Sequence, residues 1–353
     1  MEPRRAAIVG TGLIGGSIGL ALRARGWHVT GTDHDQSRAG RAVELGAIDE
    51  VGDDPTAEIT FVATPVGEVV DVARRVSAAG GGAVTDVGGV KQLVVSGVDH
   101  PRFVGGHPMA GSEQEGIEGA TADLFDGAVW VLTPTAATDD AAYTTVRSVV
   151  ASLGAEVVEL DPDRHDRLVA VVSHVPHLTA AALVTMAAER SEEHRALLRL
   201  AAGGFRDMTR VASGHPAIWP DVCAANRGAI LDTLDDLSGA LAVMRDIVER
   251  GDPDELLAAL GRARAARTSL PSRGVRPDEL AEVKVPIRDR RGELASVTTL
   301  ATDLDVNIYD IEIDHSAEGD RGVLVLVVDA ERAERLIGGL LAVGYRPSSR
   351  SLT

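Results

Sequence analysis

The stretch AAIVGTGLIGG, residues 6–16, decides the fold of the N-terminal part of the chain. A short apolar run leads into Gly10-x-Gly12-x-x-Gly15, and a helical segment follows directly. In this setting the first glycine makes a tight turn, the second lets the backbone approach a pyrophosphate, and the third packs helix against strand. The phosphates would lie at the helix N-terminus, where unpaired N–H groups favour an anion. The stretch therefore predicts a dinucleotide site in a strand–turn–helix unit.

An acidic residue closes the next predicted strand and indicates which dinucleotide binds. Asp33 ends the run HVTGTD, residues 28–33, at the position where a carboxylate commonly holds a ribose diol. That carboxylate would repel a 2′-phosphate, so we predict NAD, while Arg38 nearby keeps NADP open. The predicted cofactor-binding residues are Gly10, Gly12, Leu13, Ile14, Gly15, Asp33, Thr64, Pro65 and Asp86.

Short apolar runs alternate with helical segments over residues 4–161, which is typical of an α/β Rossmann-type domain. Several runs are apolar throughout, as in the strands of a parallel sheet that helices cover on both faces. The predicted strands are AAIVG, HVTGTD, ITFVATP, AVTDVGG, RFVGG, AVWVLTP and AEVVELD.

Helical periodicity dominates the middle of the chain. It begins at Asp161-Pro162, a good helix start, and continues to about residue 270. We predict one long helix over Pro216–Arg250, whose length and apolar face favour packing against a second subunit. This part is therefore predicted to be an all-helical dimerisation domain of a homodimer.

The last part of the chain has the order strand, helix, strand, strand, helix, strand (βαββαβ). This order resembles a regulatory ACT domain, although other small α+β modules of ferredoxin-like order share it. The resemblance implies an amino-acid effector. The predicted domains are a NAD-binding Rossmann domain (1–161), a helical substrate and dimerisation domain (162–270), a linker (271–281) and an ACT-like regulatory domain (282–353).

Composition and charge exclude several kinds of partner. The formal net charge is −18 at pH 7, whereas nucleic acids and anionic membranes bind basic surfaces. The run Ala6–Leu22 is uncharged but holds five glycines without a following cleavage site, and no other stretch approaches the roughly 20 apolar residues of a membrane span. The single cysteine, Cys223, rules out an internal disulfide and fits a reducing compartment. We predict a cytoplasmic protein without a nucleic-acid or membrane partner.

Four further stretches carry candidate chemistry. They are DVGGVK (Asp86–Lys91), GGHPMAGSE (Gly105–Glu113), SHVPH (Ser173–His177) and GGFRDMTR (Gly203–Arg210). With the N-terminal glycine motif they resemble the prephenate dehydrogenase family over residues 6–250. HPMAGSE followed by GGFRDMTR, downstream of a Rossmann fold, is a highly specific combination. An ACT-like module also occurs in some members of that family, and tyrosine or another aromatic amino acid would be its effector.

The resemblance implies NAD-dependent oxidation of prephenate to 4-hydroxyphenylpyruvate, with loss of CO2, in tyrosine biosynthesis. Hydride passes from the carbinol carbon to NAD, and aromatisation of the ring supplies the driving force. The reaction also needs an acceptor for the hydroxyl proton. His107 fits, because Gly106 and Pro108 fix it at the end of a predicted strand. A neutral imidazole with a pKa near 6.5 suits base catalysis at neutral pH.

The resemblance also implies the substrate contacts. Arg210 would bind a carboxylate through its planar guanidinium, and Asp207 would pair with basic residues near the entrance. His177 would contact the side-chain end of the substrate, whereas His174 is interpreted as structural; without Asp, Glu or Cys at matching spacing, we predict no metal site. Trp219 would reach the neighbouring subunit's site. The predicted substrate-binding residues are Arg210, His177, Gly204, Trp219, Asp207, Lys91 and Gly89.

One position departs from the family pattern. Gly89 stands where the family usually has a serine that orients the catalytic histidine and the substrate hydroxyl. A water molecule, the region of Lys91 or another side chain must then take over that role. The departure leaves an altered substrate open.

Several alternatives remain at this point. Arogenate differs from prephenate by an amino group on its side chain, and a 4-amino-4-deoxyprephenate dehydrogenase is a more distant possibility. A β-hydroxyacid dehydrogenase would use a lysine on the central helix, and none occurs between Lys91 and Lys284. The chain could also be a NAD-binding regulator without activity, but it retains both His107 and Arg210.

Overall fold

The structure, a computed structural model, forms two compact units, residues 1–242 and residues 243–353. The first unit is built on an eight-stranded sheet, and the second contains a four-stranded sheet. The residues that the structure describes are 3–112, 114, 116–191, 201, 203–214, 216–268, 280–288, 290–315 and 321–351.

The sheet of the first unit has the strand order β3-β2-β1-β4-β5-β6-β7-β8. All neighbouring strands in it are parallel except β6 and β7. The order reverses between β1 and β4, and ligands of such sheets bind at this reversal, outside the carboxyl ends of the strands. The strands are β1 (Arg5–Val9), β2 (His28–Thr32), β3 (Glu50–Val51), β4 (Ile59–Val62), β5 (Ala83–Asp86), β6 (Phe103–Pro108), β7 (Val129–Thr133) and β8 (Glu156–Glu159).

Apolar packing covers both faces of this sheet. Phe61 and Val62 are neighbours in β4 and point to opposite faces, and each belongs to a different buried hydrophobic cluster. The prediction of a sheet covered on both faces is therefore confirmed. The covering helices are α1 (Leu13–Ala24), α2 (Gln36–Glu44), α3 (Val66–Ala79), α4 (Gln92–Gly97) and α5 (Asp140–Ser152).

The sequence prediction is wrong for strand β6 in two respects. The sheet was expected to be parallel, but β6 and β7 are antiparallel, because their described connection contains a short 3-10 helix, Ile117–Gly119, and no crossover helix. The strand was expected to end at Gly106, yet it continues to Pro108. A Cβ at position 106 would lie 2.6 Å from the carbonyl oxygen of Asp86, so the tight packing of this strand requires glycine there.

The middle of the chain is helical, as predicted, but the single helix expected over Pro216–Arg250 is broken at Asn226. Asn226 has φ −114° and ψ 29°, outside the helical range, and its side-chain amide donates to the backbone carbonyl of Asp166 at 2.8 Å. The segments are α6 (Pro162–Val169), a π-helical turn (Ala170–His174), α7 (Val175–Ser191), α8 (Gly203–Thr209), two 3-10 turns (Arg210–Ser213 and Pro216–Ile218), α9 (Trp219–Ala225), α10 (Arg227–Arg250) and α11 (Pro253–Thr268).

One helical run is more apolar than the sequence analysis allowed. Pro162–Arg190, which joins α6, the π-helical turn and α7, is long and apolar enough to cross a membrane by length and composition. Only 28% of its most apolar window is buried in this chain. The expectation that no further stretch approaches a membrane span is therefore wrong, although core helices of globular proteins pass the same test.

The second unit contains the predicted βαββαβ order. Its sheet has the order β10-β11-β9-β12 with antiparallel neighbours, and residues such as Val283, Leu326 and Leu336 form its core. The linker stretch 271–279 lies outside the described residues, but Leu280 already pairs with β11, so the strand begins two residues before the predicted boundary. The elements are β9 (Leu280–Arg288), α12 (Glu293–Asp303), β10 (Ile308–His315), β11 (Arg321–Asp329), α13 (Ala330–Ala342) and β12 (Ser348–Ser351).

Candidate active site

The glycine-rich turn after β1 has the geometry of a phosphate cradle. Gly10 has φ +97°, and a Cβ there would lie 2.4 Å from the carbonyl oxygen of Ala63, so only glycine fits. A Cβ on Gly15 would lie 1.9 Å from the carbonyl oxygen of Gly10, which explains the close contact of α1 with the turn. A Cβ on Gly12 would meet no atom within 4 Å, so the backbone there faces open space. A dinucleotide pyrophosphate fits this cradle at the N-terminus of α1.

Asp33, at the end of β2, is held rigidly beside that turn. Its Oδ2 accepts hydrogen bonds from the backbone N–H of Thr11 at 2.9 Å and from the Thr11 hydroxyl at 3.3 Å. Its Oδ1 accepts from the backbone N–H of Asp35 at 3.0 Å, and the guanidinium of Arg38 lies 3.8 Å away. The carboxylate is thus fixed where a ribose diol would bind, with one arginine within reach of the same place.

A cavity of about 790 Å³ runs from the glycine-rich turn to the helical segments. Thr64 lies in its wall, and the buried hydroxyl of Thr64 has no hydrogen-bond partner within the described part of the chain. Of the predicted site residues, those in the wall are Gly10, Gly12, Leu13, Ile14, Asp33, Thr64, Pro65, Gly89, His107 and Trp219. The predicted site residues outside the wall are Gly15, Asp86, Lys91, His177, Gly204, Asp207 and Arg210.

His107 is connected through a second histidine to a buried carboxylate. Its Nδ1 lies 2.8 Å from Nε2 of His165, and Nδ1 of His165 lies 2.8 Å from Oδ1 of Asp166. The backbone N–H groups of Lys91 and Gln92 donate to the two oxygens of Asp166 at 2.7 and 2.9 Å. His165, Asp166 and Lys91 are buried, and the three hydrogen bonds to Asp166 give its carboxylate a fixed orientation.

These contacts determine the tautomer of His107. Asp166 only accepts hydrogen bonds, so His165 carries its proton on Nδ1, and its Nε2 is then an acceptor when the ring is neutral. His107 therefore donates from Nδ1 to His165 and keeps an unprotonated Nε2. A Cβ on Gly89 would lie 3.7 Å from that Nε2, which places the lone pair at the cavity wall. His107 is thus oriented as a hydrogen-bond and proton acceptor.

The surroundings also keep His107 neutral. Burial lowers the pKa of the His107 imidazole well below its usual value of about 6.5, and the nearby His165, Lys91 and His174 act in the same direction. An uncharged imidazole at neutral pH is the form that can accept a proton.

Lys91 and Asp86 form a fully buried ion pair behind the cavity wall. Asp86 also accepts hydrogen bonds from the backbone N–H groups of Gly88 at 2.9 Å and Gly106 at 3.1 Å. Burial lowers the pKa of the Lys91 ammonium, and Asp86 opposes that shift. The pair joins the loop after β5 to β6, so the expected direct contacts of Lys91 with substrate and of Asp86 with cofactor do not fit this placement.

The two histidines of SHVPH occupy the reverse of their expected places. His174, interpreted from the sequence as structural, lies in the cavity wall. His177 lies outside it and stacks on Trp219, with ring centroids 3.9 Å apart and planes at 22°. Trp219 lines the cavity of its own chain, and its predicted contact with the neighbouring subunit's site stays a prediction.

The residues of GGFRDMTR lie on α8 and the 3-10 turn that follows it. Gly204, Asp207 and Arg210 are exposed, and none of them lines the cavity. The turn Arg210–Ser213 packs against α7, and a Cβ on Gly214 would lie 3.7 Å from Cε1 of His177. The structure therefore places Arg210 beside α7, outside the cavity wall that contains His107. Among the described residues, no group of three or more His, Cys, Asp or Glu side chains is arranged to hold a metal ion.

Sequence reasoning missed three residues of the site, namely His165, Asp166 and Asn226. His165 and Asp166 are adjacent in α6, and both are buried, which is unusual for such polar residues. Their only sequence signal is a His-Asp pair in the first helix after Asp161-Pro162. Asn226 is one of several polar residues in the pattern of the predicted helix, and nothing in the sequence distinguishes it from the others.

Comparison with known proteins places this geometry in a family. The family description "Prephenate dehydrogenase, nucleotide-binding domain" matches residues 18–159, and "Prephenate dehydrogenase, dimerization domain" matches residues 161–262. The prephenate dehydrogenase of Bacillus subtilis (strain 168) is 34% identical over 351 residues, which cover 94% of this chain and 94% of that protein.

Two solved structures are similar as well. Prephenate dehydrogenase from A. aeolicus, in complex with hydroxyphenyl propionate and NAD+, is 30% identical with a TM-score of 0.72 and covers 77% of this chain and 99% of its own. Synechocystis arogenate dehydrogenase is 33% identical with a TM-score of 0.66 and covers 74% of this chain and 98% of its own. With a glycine-rich phosphate cradle and an oriented histidine in one cavity, these matches show that the chain belongs to the prephenate dehydrogenase family.

Proposed function

We propose that the protein is a prephenate dehydrogenase that uses NAD to oxidise and decarboxylate prephenate to 4-hydroxyphenylpyruvate. The observation that carries the proposal is the position of His107. Its unprotonated Nε2 faces the same cavity that begins at the glycine-rich turn. A proton acceptor and a dinucleotide cradle in one continuous space are what oxidation of a ring carbinol requires.

The atoms and electrons of the reaction balance with His107 as the only proton carrier. NAD, held by the turn at Gly12 and by Asp33, would supply the acceptor for the hydride that leaves the carbinol carbon. Nε2 of His107 would take the hydroxyl proton as the C=O bond forms. When the ring carboxylate leaves as CO2, the electrons of the broken C–C bond aromatise the ring and return to the oxygen. His107 then returns the proton to that oxygen, which regenerates the neutral base.

His165 and Asp166 would stabilise the charged intermediate form of His107. Once Nε2 is protonated, the positive ring donates from Nδ1 to His165, and His165 donates in turn to the carboxylate of Asp166. A buried carboxylate at the end of such a relay stabilises an imidazolium and holds the correct tautomer. The ion pair of Lys91 and Asp86 would act from behind, by fixing the loop and strand on which Gly89 and His107 lie.

The carboxylate groups of the substrate need cationic or hydrogen-bonding partners. We retain Arg210 as the proposed carboxylate anchor, with Gly204, Asp207 and His177 as its proposed neighbours around α7. The packing of the Arg210–Ser213 turn against α7 supports this, since α7 follows directly on the turn that carries His174.

Oxidation of arogenate is the second candidate activity. It is favoured by the 33% identity to Synechocystis arogenate dehydrogenase, whose structure covers 74% of this chain. NADH formation measured side by side with prephenate and arogenate, each with NAD and NADP, separates the two. We expect the highest kcat/KM with prephenate and NAD. A higher kcat/KM with arogenate would identify arogenate as the substrate in place of prephenate. Absence of turnover with either would favour a NAD-binding regulator.

Assembly, regulation and location are proposed on more general grounds. A homodimer is supported by the dimerization-domain match and by exposed apolar side chains, with Leu241, Val248 and Leu257 each more than half exposed. An ACT-like role for the second unit, with tyrosine or another aromatic amino acid as effector, is supported by its βαββαβ order. A response to tyrosine that survives removal of residues 280–353 would contradict that role. The single cysteine supports a cytoplasmic location.

A further inference from the structure

We propose that His174 donates a hydrogen bond from Nε2 to a carboxylate oxygen of the substrate, and that Asn226 is the positioning residue that fixes its tautomer. The identity of the substrate in this statement rests on the function proposed above. The tautomer of His174 follows from contacts within the chain and can be tested without substrate.

A π-helical turn brings His174 to the cavity. The turn Ala170–His174 lies between α6 and α7, and the backbone N–H of Val175 donates to the carbonyl of Ala170, five residues earlier. One extra residue in a helical turn shifts the register of everything after it, and such turns often occur at functional sites. His174 consequently lies in the cavity wall while it is only 3% exposed, and His177, one turn later, lies outside the wall.

The side-chain amide of Asn226 can be oriented unambiguously. Nδ2 of Asn226 lies 2.8 Å from the backbone carbonyl oxygen of Asp166, and a carbonyl only accepts hydrogen bonds. The atom at that position is therefore the amide nitrogen. Asn226 is 5% exposed, so this contact is made away from solvent.

The same nitrogen determines which nitrogen of His174 carries the proton. Nδ2 of Asn226 also lies 3.2 Å from Nδ1 of His174, and an amide nitrogen can only donate there. Nδ1 of His174 must then accept, so the neutral ring carries its proton on Nε2. Burial lowers the pKa of His174, which favours this neutral form at pH 7.

The remaining donor faces ligand space. Because Nδ1 is turned toward the buried Asn226, the part of the ring at the cavity wall carries the Nε2–H group. Within the described residues, the side-chain hydrogen bond of His174 is made by Nδ1, and its ring meets that of Trp219 edge-on with centroids 6.1 Å apart. Ser173 is the adjacent residue of the cavity wall. The cationic side chains that line the cavity, Arg38 and Arg75, lie in the part of the chain that forms the nucleotide end. At the other end of the cavity lies the Nε2–H group of His174. Since the proposed substrate carries two carboxylates, this group would bind one of them.

The two imidazoles of the cavity thus have opposite roles. His107 presents a lone pair on Nε2, set by a chain of contacts that ends at the side chain of Asp166. His174 presents an N–H on Nε2, set by Asn226, which is anchored on the backbone of the same Asp166. Asp166 in α6 therefore supports both His107 as a proton acceptor and His174 as a hydrogen-bond donor for the same ligand.

The tautomer is tested by nitrogen-15 NMR of the full-length protein labelled at histidine, without substrate. We expect the resonances of His174, identified by their loss in His174→Gln, to show a proton on Nε2 and none on Nδ1. In Asn226→Asp, a carboxylate would accept from Nδ1, and the pattern should reverse. A proton on Nδ1 in the unaltered protein would overturn the proposal.

The donor role is tested by steady-state kinetics with whichever of prephenate or arogenate is turned over. A hydrogen bond to a charged group is worth enough that His174→Leu should raise KM for that substrate about 10- to 100-fold, with a smaller change in kcat and no change in the KM for NAD. His174→Gln, whose amide nitrogen can replace Nε2–H, should recover most of that loss. An unaltered KM in His174→Leu would overturn the donor role.

His100 provides the matched control. Its Nδ1 also accepts a hydrogen bond, from the backbone N–H of Arg102 at 3.2 Å, but it lies outside the cavity wall. His100→Gln should leave both kinetic constants unchanged. Absence of turnover with both substrates, together with a proton on Nε2 in the NMR experiment, would refute the proposed function and leave the Asn226–His174 arrangement standing.

Discussion

Nδ1 of His107 lies 2.8 Å from Nε2 of His165, with the two rings nearly perpendicular at 74°. This contact decides which nitrogen of His107 is free to accept a proton. Because His165 in turn donates to Asp166, a residue of the helical segment sets the chemistry of a residue on strand β6. The base therefore depends on how that helix packs against the sheet unit as well as on the histidine itself.

Asp166→Asn should lower kcat about 10²- to 10⁴-fold with little change in KM. The carboxylate of Asp166 accepts from three donors, and an amide has a single acceptor oxygen, so one donor would be left facing an NH2 group. Loss of such a buried contact should also cost about 1–3 kcal/mol of unfolding free energy. Kinetics and thermal unfolding check both parts, and Asp163→Asn, exposed in the same helix, is the control. A kcat equal to that of the control would show that catalysis does not depend on the Asp166 carboxylate.

The pH dependence should reflect the depressed pKa of His107. Since the neutral ring is the active form, kcat/KM should stay constant as the pH falls through about 6.5 and decline only well below it. An acidic limb at or above pH 6.5 that disappears in His107→Asn would contradict the assignment.

The free energy of unfolding should depend on pH through His107 and His174. Burial lowers the pKa of His107 and of His174 in the folded state, so the unfolded state binds more protons. The free energy of unfolding therefore contains a contribution that is fully present above about pH 6.5 and is lost as the pH falls below it. Denaturant unfolding at several pH values measures this slope, which should shrink when His107 is replaced by Asn.

Gly89→Ser should raise kcat/KM about two- to tenfold, the range expected for one added hydrogen bond. A Cβ at Gly89 would lie 3.7 Å from Nε2 of His107 without a clash, so a hydroxyl there can orient the base and the substrate. Gly89→Ala adds the carbon without the hydroxyl and is the matched control. Identical kinetics for the two variants would show that no hydroxyl is needed at this position.

Asp33→Ser should shift the preference between NAD and NADP toward NADP by at least about tenfold. Asp33 repels a 2′-phosphate and forms an ion pair with Arg38, whose guanidinium lies 3.8 Å away. Removal of the carboxylate leaves Arg38 to pair with the phosphate. The ratio of dissociation constants, measured by NADH and NADPH fluorescence, checks this. Addition of Arg38→Gln should abolish the gain, and a gain that persists would show that another residue binds the phosphate.

Much of this architecture could be predicted from the sequence because its signals are local. The apolar runs at Ala6–Val9 and Ile59–Val62 became parallel strands, and the turn at Gly10 takes the predicted conformation. His107 was selected from the sequence because HPMAGSE occurs together with GGFRDMTR and the N-terminal glycine motif; its catalytic role stays a prediction.

The remaining features depend on contacts between distant segments. His107 and His165 are 58 residues apart, and nothing in either stretch indicates the other. The exchange of His174 and His177 comes from a π-helical turn, which shifts the register by one residue in a pattern that looks continuous. Asn226 breaks the long helix because its amide is bound by Asp166 and His174, which lie 60 and 52 residues earlier.

The most direct measurement is the rate of NADH formation from prephenate by the unaltered protein and by His107→Asn. Asn keeps a polar group near Nδ1 but has no basic nitrogen to replace Nε2. We predict that kcat falls about 10²- to 10⁴-fold while KM for prephenate and for NAD changes little. A His107→Asn enzyme with undiminished kcat would contradict the account.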